Sequence, residues 1–270
     1  MLMLLGAASD GEPKARQVGV IQDDRISEAS GVVASRLFEG VFWTHNDGSE
    51  GILYAIRRDG SLVGCAKIDA KVHDWEDIAT DEKGNLYVSD TGNNADKRSQ
   101  VNVYRVREPD PQSLKQKHPD KLAVDESWQL ELPSERPNIE SLFVWRGFGY
   151  IIFKQQEESP APVYRFDLSQ PGKSTLEKLT TLPIMRPVTG ADIRPDGKEL
   201  AVLARGALWV FQIDGDVSKV DHGNFTRVNF EAIQSEGVCF ADNEIVIVAE
   251  SREILAVPWK TAPTTNPSKP

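Results

Sequence analysis

The run DWEDIATDEKGNLYVSD, residues 74–90, reads as two strands folded about a tight turn. It opens on three acids around Trp75, turns at Lys83, Gly84 and Asn85, and returns through Leu86, Tyr87 and Val88. β-Branched and aromatic residues bounded by a Gly-Asn turn predict a hairpin. A similar opening strand recurs as SEASGVVAS (27–35), NIESLFVW (138–145), TGADIRPD (189–196) and SEGVCFAD (235–242). Set on one column, Val32, Ile78, Leu142, Ile193 and Val238 are spaced by 46, 64, 51 and 45 residues. A four-stranded blade takes about 40 to 50 residues, so the spacing predicts five blades, with an insertion in the second.

Each opener is followed by a second strand (VFWTH, LYVSD, YIIFK, LAVLAR, IVIVAE) and a third (ILYAIRR, VNVYRV, APVYRFDL, ALWVFQI, EILAVPW). The fold class expected is therefore all-β: a single β-propeller of five four-stranded blades, with six as the alternative count. After Trp259 the last blade has only three strands, whereas RQVGVIQ (16–22) is a strand without a blade. In a ring the second supplies what the first lacks, and closure removes a free edge. The expected division is a flexible N-terminus or signal remnant over 1–16, the propeller over 17–259 and a disordered tail over 260–270. PDPQSLKQKHPDK (109–121), polar and Pro-containing, is expected as a surface loop.

Composition removes several function classes. The formal charge of −10 argues against nucleic acid as the main partner, because a phosphate backbone needs a basic face. Four His and two Cys with no CxxC or HExxH spacing exclude a conventional zinc module, and Cys65 and Cys239, each in an apolar run, are expected as buried free thiols. No run reaches the ~18 apolar residues of a membrane span. The apolar Met1–Ala8 leads into Ala-Ala-Ser and reads as the end of a signal peptide, which predicts a periplasmic or extracellular protein, with the cytoplasm as the alternative.

Antiparallel geometry gathers the starts of the first strands and the ends of the second at one mouth of the channel. The starts bring Glu28 or Ser30, Glu76, Glu140, Ala191 with Asp192, and Glu236; the ends bring His45, Asp90, Lys154, Arg205 and Glu250. Asn46, Asp47, Asn93 and Asn94 follow in the adjoining loops. Clustered carboxylates beside cations in a cleft mark a site. The same residues also suit a salt-bridged plug that only fills the channel. As a site, Glu28, Asn46, Asp90, Asn93, Glu236 and Glu250 are the candidate ligands of a divalent cation, calcium or magnesium by their oxygen donors. His45, Glu76, Lys154 and Arg205 are the candidate catalytic groups.

The runs WEDIA (75–79), YVSDTGNN (87–94) and VYRVREP (103–109) resemble a group of bacterial, often exported propeller proteins with a Trp-Glu-Asp and Asp-x-Gly-Asn-Asn pattern. More distantly the arrangement is similar to the gluconolactonase and senescence-marker propellers and to esterase-like phytase domains. The lactonase resemblance implies a channel cation held by Glu, Asn and Asp: here Glu28 or Glu236, Asn46 or Asn93, and Asp90. Those propellers have six blades against the five counted here. Two functions follow from one face. The first is a divalent-metal-dependent hydrolase of a small anionic or sugar-derived ester, lactone or phosphoester. The alternative is a non-catalytic propeller that binds a ligand or a protein there.

Overall fold

A computed structural model describes residues 13–260 apart from 157, 223 and 231–233. The expected signal remnant and tail therefore lie almost wholly outside the described residues. The strands form five sheets in a ring, each radiating from an inner strand: Ala29–Ala34, Asp77–Thr80, Ile139–Trp145, Val188–Ile193 and Ser235–Ala241. The inner strands pack on one another around the axis, and apolar clusters fill the spaces between blades. Cys65 and Cys239 are buried and free, as their apolar settings predict. No helix of the described residues is long and apolar enough to cross a membrane.

The ring closes as the strand deficit requires. Arg16–Val20 pairs antiparallel with Glu253–Pro258, with Arg16 opposite Ala256 and Val20 opposite Glu253. The insertion in blade two lies largely on the surface as expected, but it is tied down at its end. Its Asp120–Leu122 adds in parallel to blade one's Leu62–Ile68, and Leu114 joins the apolar cluster between blades one and two. The carbonyls of Lys115 and Gln116 also accept from the Cys65 thiol, at 3.2 and 3.3 Å. The segment is a strap across two blades.

One feature of the pairing moves the site. Four of the five inner strands carry a register break near the same end, at Ala29/Val32, Ile139/Leu142, Val188/Gly190 and Ser235/Gly237. Such a bulge re-aims the side chains beside it. With Val32 paired to Thr44, Ile78 to Val88, Leu142 to Ile151, Ala191 to Val202 and Val238 to Ile247, the true column in blade four is Ala191 rather than Ile193. The starts are then Ser30, Glu76, Glu140, Thr189 and Glu236. The ends in register are Asp47, Thr91, Lys154, Arg205 and Glu250, in place of His45 and Asp90 for the first two blades.

Candidate functional site

At the mouth so defined lies a cavity of about 170 Å³. Inner strands supply Ser30, Glu76, Glu140 and Glu236; second strands and their loops supply Asp47, Asn94, Lys154 and Glu250. Ser30 and Thr189 hold the ring together rather than face a ligand, donating to the carbonyls of Glu76 and Ser235 in the next blade at 2.7 and 2.9 Å. Thr91 does the same to Ile139, at 2.8 Å.

Asp47, Asp74 and Glu76 each bring a carboxylate oxygen within 4.8 Å of the other two. Asp74, the first acid of DWED, was not among the expected ligands, although the alternation Asp74, Trp75, Glu76 was the signal that would have found it. Trp75 turns the other way, buried edge-on to His45 with ring centres 5.2 Å apart. The Gly of the DTGNN run explains how the carboxylates fit. A methyl group built on Gly92 would fall on Asp74 Oδ2 and Glu76 Oε1, so only glycine leaves them room. Glu76 is 4% exposed, and its Oε1 has no hydrogen-bond partner; neither has Oε2 of Glu140, at 5% exposed. A buried polar atom without a partner is costly.

Lys154 is the one cation lining this cavity among the described residues, and it is bound to Glu140. Burial opposes its charge, but Glu140, Glu236 and Glu76 outweigh burial and hold its pKa above the ordinary lysine value. One ammonium does not balance so many carboxyls, and the surplus charge is suppressed. Burial, then Glu140 and the two aspartates, pushes Glu76 far above the ordinary carboxyl value. Burial and Glu140 raise Glu236 to about 8. Burial and the facing Asp74 raise Asp47 to about 6.

Between the ordinary carboxyl value of 4.5 and about 8, folded Glu236 retains a proton that the unfolded chain releases. The metal-free protein therefore loses stability as pH rises through that window. Melting temperatures of chelated protein should fall from about pH 5 to about pH 8, and Glu236→Gln should flatten the fall. A profile that rises instead would contradict this account of the cluster.

The other expected residues lie elsewhere. Asp90 is fully buried behind the mouth, where it accepts from the backbone of His73 and Asp74 and pairs with Arg98 at 3.2 Å. Asn93 is spent on the backbone of Arg98 and Arg136, stapling two blades. Asn46 ties Glu28 to Arg25, and Glu28 stays exposed at the rim. His45 is enclosed against Gly31 and Trp75, and burial lowers it to about 4, so it is neutral. Arg205 does not line the cavity. Glu76, Lys154, Glu236 and Glu250 are brought together as expected; His45, Asp90, Asn93, Asn46, Glu28 and Arg205 are not.

No protein-family model matches the chain, and no curated protein matches it. Among solved structures it is similar to XC5397 from Xanthomonas campestris, a gluconolactonase important in glucose secondary metabolic pathways. The two are 12% identical with a TM-score of 0.53, over 92% of this chain and 90% of that one. A chain of Kuenenia stuttgartiensis hydrazine synthase is 12% identical, with a TM-score of 0.49 over 85% and 71%. At such identities the likeness to XC5397 is one of fold.

Proposed function

We propose that this propeller is a divalent-metal-dependent hydrolase of a small ester or lactone, sugar-derived esters included, acting at the acidic mouth. The observation that carries this reading is the trio Asp47, Asp74 and Glu76 around Gly92, with Glu76 Oε1 buried and unpartnered. An all-oxygen donor set suits a hard cation such as calcium, magnesium or manganese. Asp47, Asp74 and Glu76 would hold it, and bound there it would polarise an ester carbonyl and acidify water.

The chain's own groups do the rest. Lys154 keeps its proton beside Glu140 and is placed to hold an ester oxygen or the carboxylate product. Glu236, which lines the same cavity and is raised by burial and Glu140 in the metal-free protein, is the group placed to take and return a proton. Gly92 and the Asp90–Arg98 pair keep Asp74 in position. The fold of XC5397, a gluconolactonase, supports a lactone as the first substrate to try. For a protein-docking face the mouth lacks anchors: Val20, Leu37, Met185 and Phe225, the exposed large apolar residues described, do not line it.

The test is calorimetry of chelated protein with calcium, magnesium or manganese added, alongside a panel of lactones and esters. A cation at a hundredfold excess over Kd stabilises by about 2.7 kcal/mol, or roughly 5–10 °C for a chain of this size. Glu76→Gln should melt higher than wild type without metal, because a buried carboxyl is gone, and should lose the cation response. A wild-type protein that responds to none of the three cations would overturn the proposal.

A further inference from the structure

The opposite mouth of the channel differs in chemistry. There the inner strands end, and two adjoining cavities of about 310 and 320 Å³ share Arg36, Arg194 and Pro195 as a common wall. Val144, Trp145 and Ile193 line the first, and Phe240 the second. Volumes near 300 Å³ fall at the lower end of the range of small-molecule sites, and here an apolar wall of Val144, Trp145, Ile193 and Pro195 faces charged groups.

Arg36 stands between them. Among the described residues its guanidinium makes no hydrogen bond and no ion pair. It acts only at longer range, on buried Asp192, on Glu108 and on Cys239. Arg194 is differently placed: it is bound to Glu199 and lies over the Phe240 ring at 5.6 Å, which makes it part of the wall. The nearby acids leave Arg36 its charge. Asp81 accepts from the backbone of Lys83 and Asn85, from the Asn85 amide and from the Tyr87 hydroxyl, at 2.7 to 3.1 Å. Asp196 is bound to the Lys198 backbone and lies 4.0 Å from both Arg194 and Lys198. Glu82 and Asp242 are exposed.

A planar fork of donors with no partner, set in a half-enclosed depression with one apolar wall, matches one ligand shape well. A carboxylate accepts two parallel bonds from guanidinium, and a flat body attached to it would rest on the Trp145 and Pro195 side. We propose that this mouth is a second binding site, selective for a small organic carboxylate with a flat apolar body and held by Arg36. It is independent of the hydrolase reading, since it shares no residue with the acidic mouth.

Benzoate is a suitable probe, titrated into nitrogen-15-labelled protein while the six tryptophan indole N–H signals are followed. The Trp145 signal should shift saturably. Arg36→Gln should weaken binding at least tenfold. Arg36→Lys, which keeps a charge near Asp192 and so protects the fold, should weaken it as well because the fork is lost. Lys154→Met and Glu76→Gln should bind benzoate like wild type. No saturable shift at Trp145, or wild-type binding by both Arg36 variants, would overturn the proposal. So would binding lost in Lys154→Met, which places the anion at the acidic mouth. Inorganic phosphate binding as tightly as benzoate would also overturn it, since charge alone would then suffice.

Discussion

Removal of residues 1–21 should lower the melting temperature of this protein by about 10 °C or more. The deleted chain contains the strand Arg16–Val20 that completes blade five. Without it Glu253–Pro258 becomes an open edge, a row of unpaired backbone groups that invites association. Ile21 is fully buried in the cluster between blades five and one, with Val18 packed against it. Burying one such side chain contributes about 1.5–3 kcal/mol. The Ile21 amide also donates to Arg252 at 2.8 Å, and each such bond adds about 1 kcal/mol. A loss of several kcal/mol, at roughly 2–4 °C each for a chain of this size, gives the stated drop. Calorimetric melting of the truncated protein measures it, and an unchanged midpoint would mean that the ring is closed by something else.

The second large effect is expected from Asp90→Asn, and it is an effect on stability. Asp90 is not at the cavity; its carboxylate neutralises Arg98 and accepts the backbone N–H groups of His73 and Asp74. Asparagine can keep an oxygen at the Oδ1 place that accepts from Arg98 and both backbone groups, but it puts an NH2 where Oδ2 faced His73 and leaves a half-buried guanidinium without its countercharge. Stranding one partner of a buried pair costs about 3 to 5 kcal/mol, and the partial exposure of Arg98 argues for the lower end. The cation response should weaken without vanishing, because Asp74 loses its anchor while Asp47 and Glu76 stay in place. Melting and calcium titration of this variant check both parts. A protein as stable as wild type but blind to cation would return Asp90 to the ligand set.

How far the site was legible depends on the residue. Glu76, Glu140 and Glu236 follow from the repeat itself, since each stands two places before an aligned inner hydrophobic. Lys154 and Glu250 follow in the same way at the ends of second strands. His45 and Asp90 stand at the sequence ends of the second strands of blades one and two. The pairing puts Asp47 and Thr91 there instead, two residues and one residue further on. Because side chains alternate along a strand, a one-residue step turns Asp90 away from the mouth and onto Arg98.

What the sequence by itself determined is the architecture: five blades from the spacing of one strand pattern, closure by the N-terminal strand from the deficit in the last blade, and an acidic mouth from polar residues recurring at one position. Local alternation and turn chemistry are short-range properties, and the repeat states them five times. Which carboxylates meet was decided only by the tertiary structure. Bulges add a residue to one strand without leaving a mark on the apolar pattern. Asp74 reaches Asp47 through backbone held by Asp90, Arg98 and Gly48, a set of contacts that crosses from blade two to blade one. The insertion likewise reads as a polar loop until blade one's outer edge offers it a partner. Contacts between blades depend on the closed ring, which no single stretch of the chain contains.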